Sequence, residues 1–355
     1  MEPMGTRLGA SLLVPSVQEL AKEHLINIPP RYVHPDQEPQ VLPRLPSSLH
    51  EVPVIDMERL ASEDSVNDEL EKLHLACKDW GFFQIINHGV SCSLVNRVKE
   101  ETQNFFNLPI EEKQKFWQTA DDVEGFGQAF VISEEQKLDW ADIFFLFTLP
   151  HHIRKPHLFP NLPLPFRDTL EAYSRELKNI AIKTLYYIAN ALKMDTKDLM
   201  VLFEEAMQSM RMNYYPPCPQ PEHAIGLTPH SDAVGITFLL ELNEVQGLQI
   251  RKDGIWIPVV PLPNAFIVNI GEILEIVTNG RYKSIEHRAI VNSERERLSI
   301  ATFLTPNLDG ELGPAPSLIT PETPPKFTRV TVADYLKNLF SRELKRKTNL
   351  EQYYI

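Results

Sequence analysis

Two short segments of the sequence carry residue types that hold metal ions. The first is Thr228-Pro229-His230-Ser231-Asp232. In an extended strand, residues two apart point to the same side, so His230 and Asp232 can aim an imidazole and a carboxylate at one point. A His-x-Asp triplet arises often by chance and is weak support by itself. The second segment contains His287, which shares a strand face with the apolar Ile285 and Ala289. Taken alone, His287 is better interpreted as a core histidine bonded to a backbone carbonyl.

A third segment, 297–303, places a cation on an apolar strand face. Alternation puts Arg297 and Ser299 on the same side as Ala301 and Phe303. A buried arginine is costly unless it meets an anion. That anion is either a protein carboxylate, which makes Arg297 structural, or the carboxylate of a ligand.

A similar strand carries Arg211, Asn213 and Tyr215 on one face, before Pro216-Pro217 ends it. Together, these strands offer two imidazoles, one carboxylate and an inward arginine. Two histidines and one carboxylate form the facial triad of non-haem Fe(II) oxygenases, which leaves other coordination positions open. The planar fork of arginine matches a carboxylate bidentately, as lysine does not.

Short strands must position these residues, because turn signals dominate the chain after about residue 208. Asp253-Gly254 and Asn279-Gly280 each separate two apolar or β-branched runs. Both pairs tolerate the positive φ of a type I′ turn, so the sequence predicts two hairpins. Many closely spaced strands indicate a β-sandwich, a barrel or a jelly roll.

The first half of the chain is predominantly helical. Apolar residues at three- and four-residue spacing predict helices over 65–80, 94–106 and 166–188. Further helices are predicted at 15–25 and 332–344. The segments 53–56 and 81–86 are predicted to be extended, and residues 118–163 to be irregular. The class is therefore α+β.

Composition excludes several classes of function. The 355 residues carry 48 acidic and 35 basic side chains, a net charge of −13, which argues against nucleic acid or an anionic membrane as the main partner. Three scattered cysteines provide neither a disulfide framework nor a zinc site, and they favour a reducing compartment. The N-terminus is a poor secretory signal, and no apolar run approaches the ~20 residues that span a bilayer. A cytoplasmic protein is expected.

The sequence also contains segments that are typical of a known family. They are Pro53-Val54-Ile55-Asp56, Cys77-Lys78-Asp79-Trp80-Gly81-Phe82-Phe83, Ile86-Asn87-His88-Gly89-Val90, Glu124-Gly125-Phe126-Gly127, Leu138-Asp139-Trp140-Ala141-Asp142 and Asn213-Tyr214-Tyr215-Pro216-Pro217-Cys218-Pro219. With the histidine, aspartate and arginine strands, they make the sequence resemble the plant 2-oxoglutarate- and Fe(II)-dependent dioxygenases over nearly its whole length. The closest resemblance is to the senescence-related, S-norcoclaurine-synthase-like and alkaloid O-demethylase group.

The resemblance implies roles for the residues already singled out. His230, Asp232 and His287 would be the iron ligands, with no catalytic residue beyond them. Arg297 and Ser299 would hold the distal carboxylate of 2-oxoglutarate.

Further residues are implied for cosubstrate and substrate. Asn213 and Tyr215 would also contact the cosubstrate. Four residues are expected in the substrate pocket: Phe303, Phe145, Ile143 and Arg211. Ile143 and Thr305 stand where some flavonoid-oxidising relatives carry tyrosine and glutamate, which weighs against a flavonoid substrate. Glu272 stands after Gly271 where the family more often has aspartate.

The implied fold is a double-stranded β-helix (jelly-roll) core flanked by α-helices. Five segments are expected: an N-terminal arm (1–52), the family's N-terminal helical and strand domain (53–160), a supporting helix region (161–207), the Fe(II)/2-oxoglutarate jelly-roll core (208–306), and a C-terminal helix and tail (307–355).

The implied function is hydroxylation or O-demethylation of a small plant specialised metabolite (an alkaloid, phenylpropanoid or terpenoid), with release of succinate and CO2. The expected cofactors are Fe(II), 2-oxoglutarate as cosubstrate, and ascorbate as reductant. O2 and a small molecule are the expected partners of a monomer, without nucleic acid or membrane. The alternatives are an ascorbate-dependent oxidase that consumes no 2-oxoglutarate, and a catalytically silent binding protein on the same fold.

Overall fold

The structure is a computed structural model. It describes residues 11–340 and 350–355, apart from residues 24, 36–37, 39–50, 120–121, 129–130 and 132. Parts of the expected N-terminal arm and the end of the predicted 332–344 helix therefore lie outside the described residues.

Helices and strands alternate along the described chain. The helices are α1 (Val17–Lys22), α2 (Met57–Ala61), α3 (Val66–Leu75), α4 (Cys92–Phe106), α5 (Ile110–Lys113), α6 (Leu164–Ala191), α7 (Thr196–Phe203), α8 (Glu272–Val277) and α9 (Val332–Phe340). The strands in the first half are β1 (Val54–Asp56), β2 (Phe82–Ile86), β3 (Gly125–Gly127) and β4 (Asp142–Leu149). The later strands are β5 (Met207–Tyr215), β6 (Leu227–His230), β7 (Ile236–Glu241), β8 (Leu248–Lys252), β9 (Ile255–Pro258), β10 (Phe266–Ile270), β11 (His287–Ala289), β12 (Arg297–Thr305), β13 (Glu311–Leu312) and β14 (Val330–Thr331).

Two sheets form the centre of the molecule. The major sheet has the strand order β1-β2-β10-β7-β12-β5-β4-β3, and the minor sheet has the order β6-β11-β8-β9. From β5 to β12 the chain passes repeatedly from one sheet to the other. This alternation makes the core a double-stranded β-helix, and the fold is α+β, as expected.

The period of two along each strand separates the two faces of the major sheet. The face turned away from the minor sheet packs into the large apolar core, which includes Met210, Met212, Leu298 and Ile300. The long helix α6 packs against this side through β4, β7 and β12. The alternate residues of the same strands point toward the minor sheet, so the polar side chains on β5 and β12 face the interior of the jelly roll.

The space between the sheets is only partly filled by apolar side chains. A small apolar cluster contains residues of both sheets: Phe82, Ile250, Ile257 and Ile267. The remaining space is a cavity lined by both sheets. Among the described residues, no helix is long and apolar enough to cross a membrane.

The two predicted hairpins have opposite outcomes. Asp253 and Gly254 have φ of 50° and 81° and connect β8 to β9, which confirms the first. The prediction of a hairpin at Asn279-Gly280 is wrong. Residues 272–277 form α8, and Asn279 and Gly280, with φ of 52° and 73°, follow the end of that helix. Because α8 is buried on all sides, its sequence lacks the apolar periodicity of a surface helix.

Three further elements were missed in the sequence. Residues 118–163, predicted to be irregular, contain β3 and the eight-residue strand β4. The apolar residues of β4 run almost continuously from Ile143 to Phe147, so the strand lacks a clear alternation. The helix α7 lies in a segment for which no separate element was predicted.

Candidate metal centre and cosubstrate pocket

The cavity brings together His230, Asp232 and His287. Their ligand atoms all lie within 4.8 Å of one another. Oδ1 of Asp232 lies 3.4 Å from Nε2 of His230 and 3.6 Å from Nε2 of His287. His230 ends β6, His287 begins β11, and these two residues are paired in register. The minor sheet therefore holds both imidazoles side by side.

Hydrogen bonds orient each of the three groups. Nδ1 of His230 lies 2.9 Å from the carbonyl oxygen of Thr228, and Nδ1 of His287 lies 3.1 Å from that of Ile285. A carbonyl only accepts, so both Nδ1 atoms carry a proton, and Nε2 of each ring is the nitrogen that remains for a metal. The core-histidine interpretation of His287 is thus half correct, since one of its nitrogens is bonded to the backbone.

Hydrogen bonds hold Asp232 by the carboxylate oxygen that faces away from the two imidazoles. Thr237 Oγ1 and Asn269 Nδ2 donate to Oδ2 at 2.6 and 2.8 Å, which leaves Oδ1 directed at the imidazoles. Burial alone would raise the pKa of Asp232, but His287, His230 and the hydrogen bond from Asn269 hold it well below its usual range. Burial, with a contribution from His230, lowers the pKa of His287 to about 4. One carboxylate thus faces neutral imidazole nitrogen, a donor set that fits Fe(II) with open coordination positions.

Arg297 lies in the same cavity and is 2% exposed. Its Nη2 donates to Oε1 of Glu241 at 2.5 Å, whereas its Nε and Nη1 have no hydrogen-bond partner among the described residues. The structure shows the protein-carboxylate alternative for Arg297 and leaves the ligand alternative a prediction. One edge of the guanidinium is paired with a protein carboxylate, and the remaining donors are available to a second anion.

The other expected cosubstrate residues lie beside Arg297. Asn213 Nδ2 donates to Ser299 Oγ at 3.2 Å, and the Arg297 guanidinium carbon lies 5.0 Å from the centre of the Tyr215 ring. The register pairs Arg297 with Tyr215 and Ser299 with Asn213, so all four side chains lie on one patch of the major sheet. A carboxylate placed there would meet guanidinium, hydroxyl and amide donors.

Glu241 and Gly247 contact Arg297, and sequence reasoning singled out neither of them. Glu241 pairs in register with Ser299, and its carboxylate is buried. A Cβ on Gly247 would lie 2.6 Å from Cδ of Arg297 and 2.9 Å from the carbonyl oxygen of Ile290. Glycine at this position therefore leaves the space that the arginine occupies. The signal for Glu241 was present, because alternation along β7 places it on the inner face with Thr237 and Leu239.

The expected substrate residues divide into two pairs. Phe303 and Arg211 line the cavity beside the triad. Phe145 pairs with Arg211 and Ile143 pairs with Asn213, so both lie on the same face of the major sheet. Neither of them lines the cavity in the described structure; Ile143 is 2% exposed, and the Phe145 ring packs against Phe147. The lining also includes Phe82, Leu239 and Arg288, which the sequence did not single out.

Comparisons with known proteins show which family the chain belongs to. Residues 206–306 match the 2OG-Fe(II) oxygenase superfamily, and residues 52–162 match the family described as non-haem dioxygenase in morphine synthesis N-terminal. The chain belongs to the plant 2-oxoglutarate- and Fe(II)-dependent dioxygenases, a class of oxidoreductases whose cofactors are Fe(II) and 2-oxoglutarate.

Several relatives align over almost the full chain. It is 57% identical to oxoglutarate-dependent flavonoid 7-O-demethylase 1 of Ocimum basilicum, over 97% of this chain and 92% of that protein. It is 52% identical to codeine O-demethylase of Papaver somniferum, over 98% of both. The crystal structure of JOX2 in complex with 2OG, Fe and JA superposes with a TM-score of 0.85 at 35% identity, covering 96% of this chain and 98% of that one.

Proposed function

We propose that this enzyme hydroxylates or O-demethylates a small plant specialised metabolite (an alkaloid, phenylpropanoid or terpenoid), with release of succinate and CO2. The observation that carries the proposal is the position of His230, Asp232, His287 and Arg297 in one cavity. The O-demethylase names of the Ocimum and Papaver relatives support the reaction type. Ile143 and Thr305 weigh against a flavonoid substrate. Because the Ocimum relative is named a flavonoid 7-O-demethylase, flavonoids nevertheless stay among the candidate substrates.

Each residue has a proposed role that follows from its contacts. His230, Asp232 and His287 hold Fe(II) through the two Nε2 atoms and Oδ1. Arg297 and Ser299 bind the distal carboxylate of 2-oxoglutarate, and Asn213 and Tyr215 shape that pocket. Phe303 and Arg211 contact the organic substrate, with Phe145 and Ile143 behind them. When bound, Fe(II) and 2-oxoglutarate supply the O2-dependent oxidation.

The reaction balances with one O2 for each 2-oxoglutarate. One oxygen atom enters succinate as 2-oxoglutarate loses CO2, and the other is inserted into a substrate C–H bond. If that carbon is an O-methyl group, the resulting hemiacetal loses formaldehyde and leaves a free hydroxyl. Ascorbate is the proposed reductant that maintains the ferrous state. We also propose a cytoplasmic monomer without nucleic-acid or membrane partners, organised in the five segments given above.

The test is a product assay of the purified protein with Fe(II), ascorbate, 2-oxoglutarate and a panel of methoxylated flavones and alkaloids. We expect succinate to rise with a substrate, and formaldehyde to match it for an O-demethylation. The Asp232→Ala variant provides the blank. Substrate oxidation without 2-oxoglutarate would indicate the ascorbate-dependent oxidase. Binding without any turnover would indicate the silent binding protein.

Phe303 provides a separate test of the substrate side of the cavity. Its ring shares the face of Arg297 and Ser299, so Phe303→Ala should weaken an aromatic substrate such as a methoxyflavone more than it weakens 2-oxoglutarate. Ring contacts contribute about 0.5–1.5 kcal/mol beyond burial, or about two- to tenfold in affinity. Phe303→Leu, which keeps apolar volume without the ring, is the matched control. Equal losses for substrate and 2-oxoglutarate would assign Phe303 to core packing.

A further inference from the structure

Glu272 connects the C-terminal helix to the loop that carries two of the three triad residues. It is the first residue of α8 and is 1% exposed. Ser231 Oγ donates to its Oε1 at 2.6 Å, and the Tyr335 hydroxyl donates to its Oε2 at 2.7 Å. Ser231 stands between His230 and Asp232, and Tyr335 belongs to α9. One buried carboxylate therefore joins α9 to the segment 230–232, called the metal-binding loop below.

The backbone around Glu272 is fixed against the same loop. Its amide donates to the carbonyl oxygen of Asp232 at 2.8 Å, and the amide of Gly271 donates to that of Gly235 at 2.9 Å. A Cβ on Gly271 would lie 2.0 Å from the carbonyl oxygen of Val234, so only glycine permits this approach. The start of α8 and the loop after His230 thus form one unit.

We propose that Glu272 is a positioning residue for the metal centre, acting through Ser231 and braced by Tyr335. This inference rests on the proposed iron-binding role of the triad. The loop between His230 and Asp232 sets the separation of Nε2 and Oδ1, and Ser231 is the one residue between them. Holding its side chain limits the positions that the two ligands can adopt before metal binds. Burial and the charge of Glu272 raise the pKa of Tyr335, so its hydroxyl remains a donor.

The length of the Glu272 side chain lets its carboxylate reach both hydroxyl groups. Aspartate at this position would be one methylene shorter than glutamate. With the backbone of residue 272 held by its hydrogen bond to Asp232, we expect a shorter carboxylate to reach one of the two hydroxyl groups but not both. In this chain glutamate therefore adds a connection from the metal-binding loop to α9.

The experiment measures metal affinity of the full-length protein, with Co(II) in air and Fe(II) under anaerobic conditions. Outer-shell partners of metal ligands typically contribute 10- to 100-fold in affinity. Because the Glu272 carboxylate acts through Ser231, Glu272→Ala should weaken the binding of both metals by about 10-fold, the lower end of that range. Ser231→Ala should act in the same direction. The double variant Ser231→Ala/Glu272→Ala should lose little more metal affinity than Ser231→Ala alone, because the two residues act through one contact. Glu272→Gln should restore affinity, since its amide offers one acceptor and one donor to the two hydroxyl groups.

Two controls separate positioning from general destabilisation. Leu336→Ala truncates a buried residue of α9 and should lower the thermal midpoint without changing metal affinity. His230→Ala tests the triad itself: if it binds metal like the wild type, the proposed function fails. If His230→Ala loses metal but Glu272→Ala keeps wild-type affinity, only the present inference fails. If Glu272→Ala does not fold, the hydroxyl deletions Ser231→Ala and Tyr335→Phe decide the question, and unchanged affinity in both would overturn it.

Discussion

Alanine at His230, Asp232 or His287 should abolish Fe(II) binding and turnover without unfolding the protein. Each residue is one of three proposed protein ligands. Its replacement should therefore lower Fe(II) affinity by more than the ~10- to 100-fold that removal of an outer-shell partner causes. The fold should persist because the triad lies at the edge of a cavity, apart from the apolar core against α6. Anaerobic Fe(II) titration and the thermal midpoint measure the two effects.

His151→Ala is a suitable control for the triad variants. His151 lies in an exposed 3-10 turn (His151–Ile153), where its ring contacts Glu171 rather than the cavity. It should retain Fe(II) affinity and turnover. Wild-type Fe(II) affinity in any one of the three triad variants would remove that residue from the ligand set.

Arg297→Ala should have two separable consequences, because Arg297 is bonded to Glu241 and also presents free donors to the cavity. Loss of one side of a buried charged pair at a binding site costs ~2–5 kcal/mol, so 2-oxoglutarate affinity should fall about 30- to several-thousand-fold. The apo protein should also lose stability, on the order of 3–5 kcal/mol, because the Glu241 carboxylate is left without its cation. Isothermal titration and thermal unfolding measure the two losses.

The Glu241→Gln substitution separates these consequences. In the Arg297→Ala background it should recover most of the stability, since no buried charge is left unpaired, but not the 2-oxoglutarate affinity. Arg297→Lys should bind 2-oxoglutarate poorly, because a point charge does not reproduce the planar fork. Recovery of 2-oxoglutarate affinity in the double variant, or full affinity in Arg297→Ala, would show that Arg297 is only a structural partner of Glu241.

The stability loss of Arg297→Ala should depend on pH. Burial raises the pKa of Glu241, while Arg297 and Lys99 lower it, and the net direction is upward. In the Arg297→Ala variant the pKa of Glu241 should be raised further, because the cation that lowers it is gone. Between the unfolded-state pKa and the raised folded-state pKa, the folded variant binds more protons than the unfolded chain, so its stability falls as pH increases. The variant should therefore be closest to the wild type in mild acid, and Glu241→Gln should remove the difference.

Much of the candidate site could be predicted from the sequence because strand periodicity is local. Alternation along 297–303 placed Arg297, Ser299 and Phe303 on one face, and the structure shows all three lining the cavity. The same rule placed Arg211, Asn213 and Tyr215 together. The jelly-roll core and the cofactors followed from the family segments rather than from periodicity, since spacing alone left a sandwich, a barrel and a jelly roll open.

Only the tertiary structure identified the partners of these residues. Glu241 meets Arg297 because β7 and β12 are neighbours, although 56 residues separate the two side chains along the chain. Helix α8 was mistaken for half of a hairpin because burial on all sides removes the periodicity that distinguishes a helix from a strand. Glu272 reaches Ser231 and Tyr335 through segments that are 41 and 63 residues away. Such contacts depend on how the sheets and helices pack, and a pattern within one segment carries no information about the segment that will cover it.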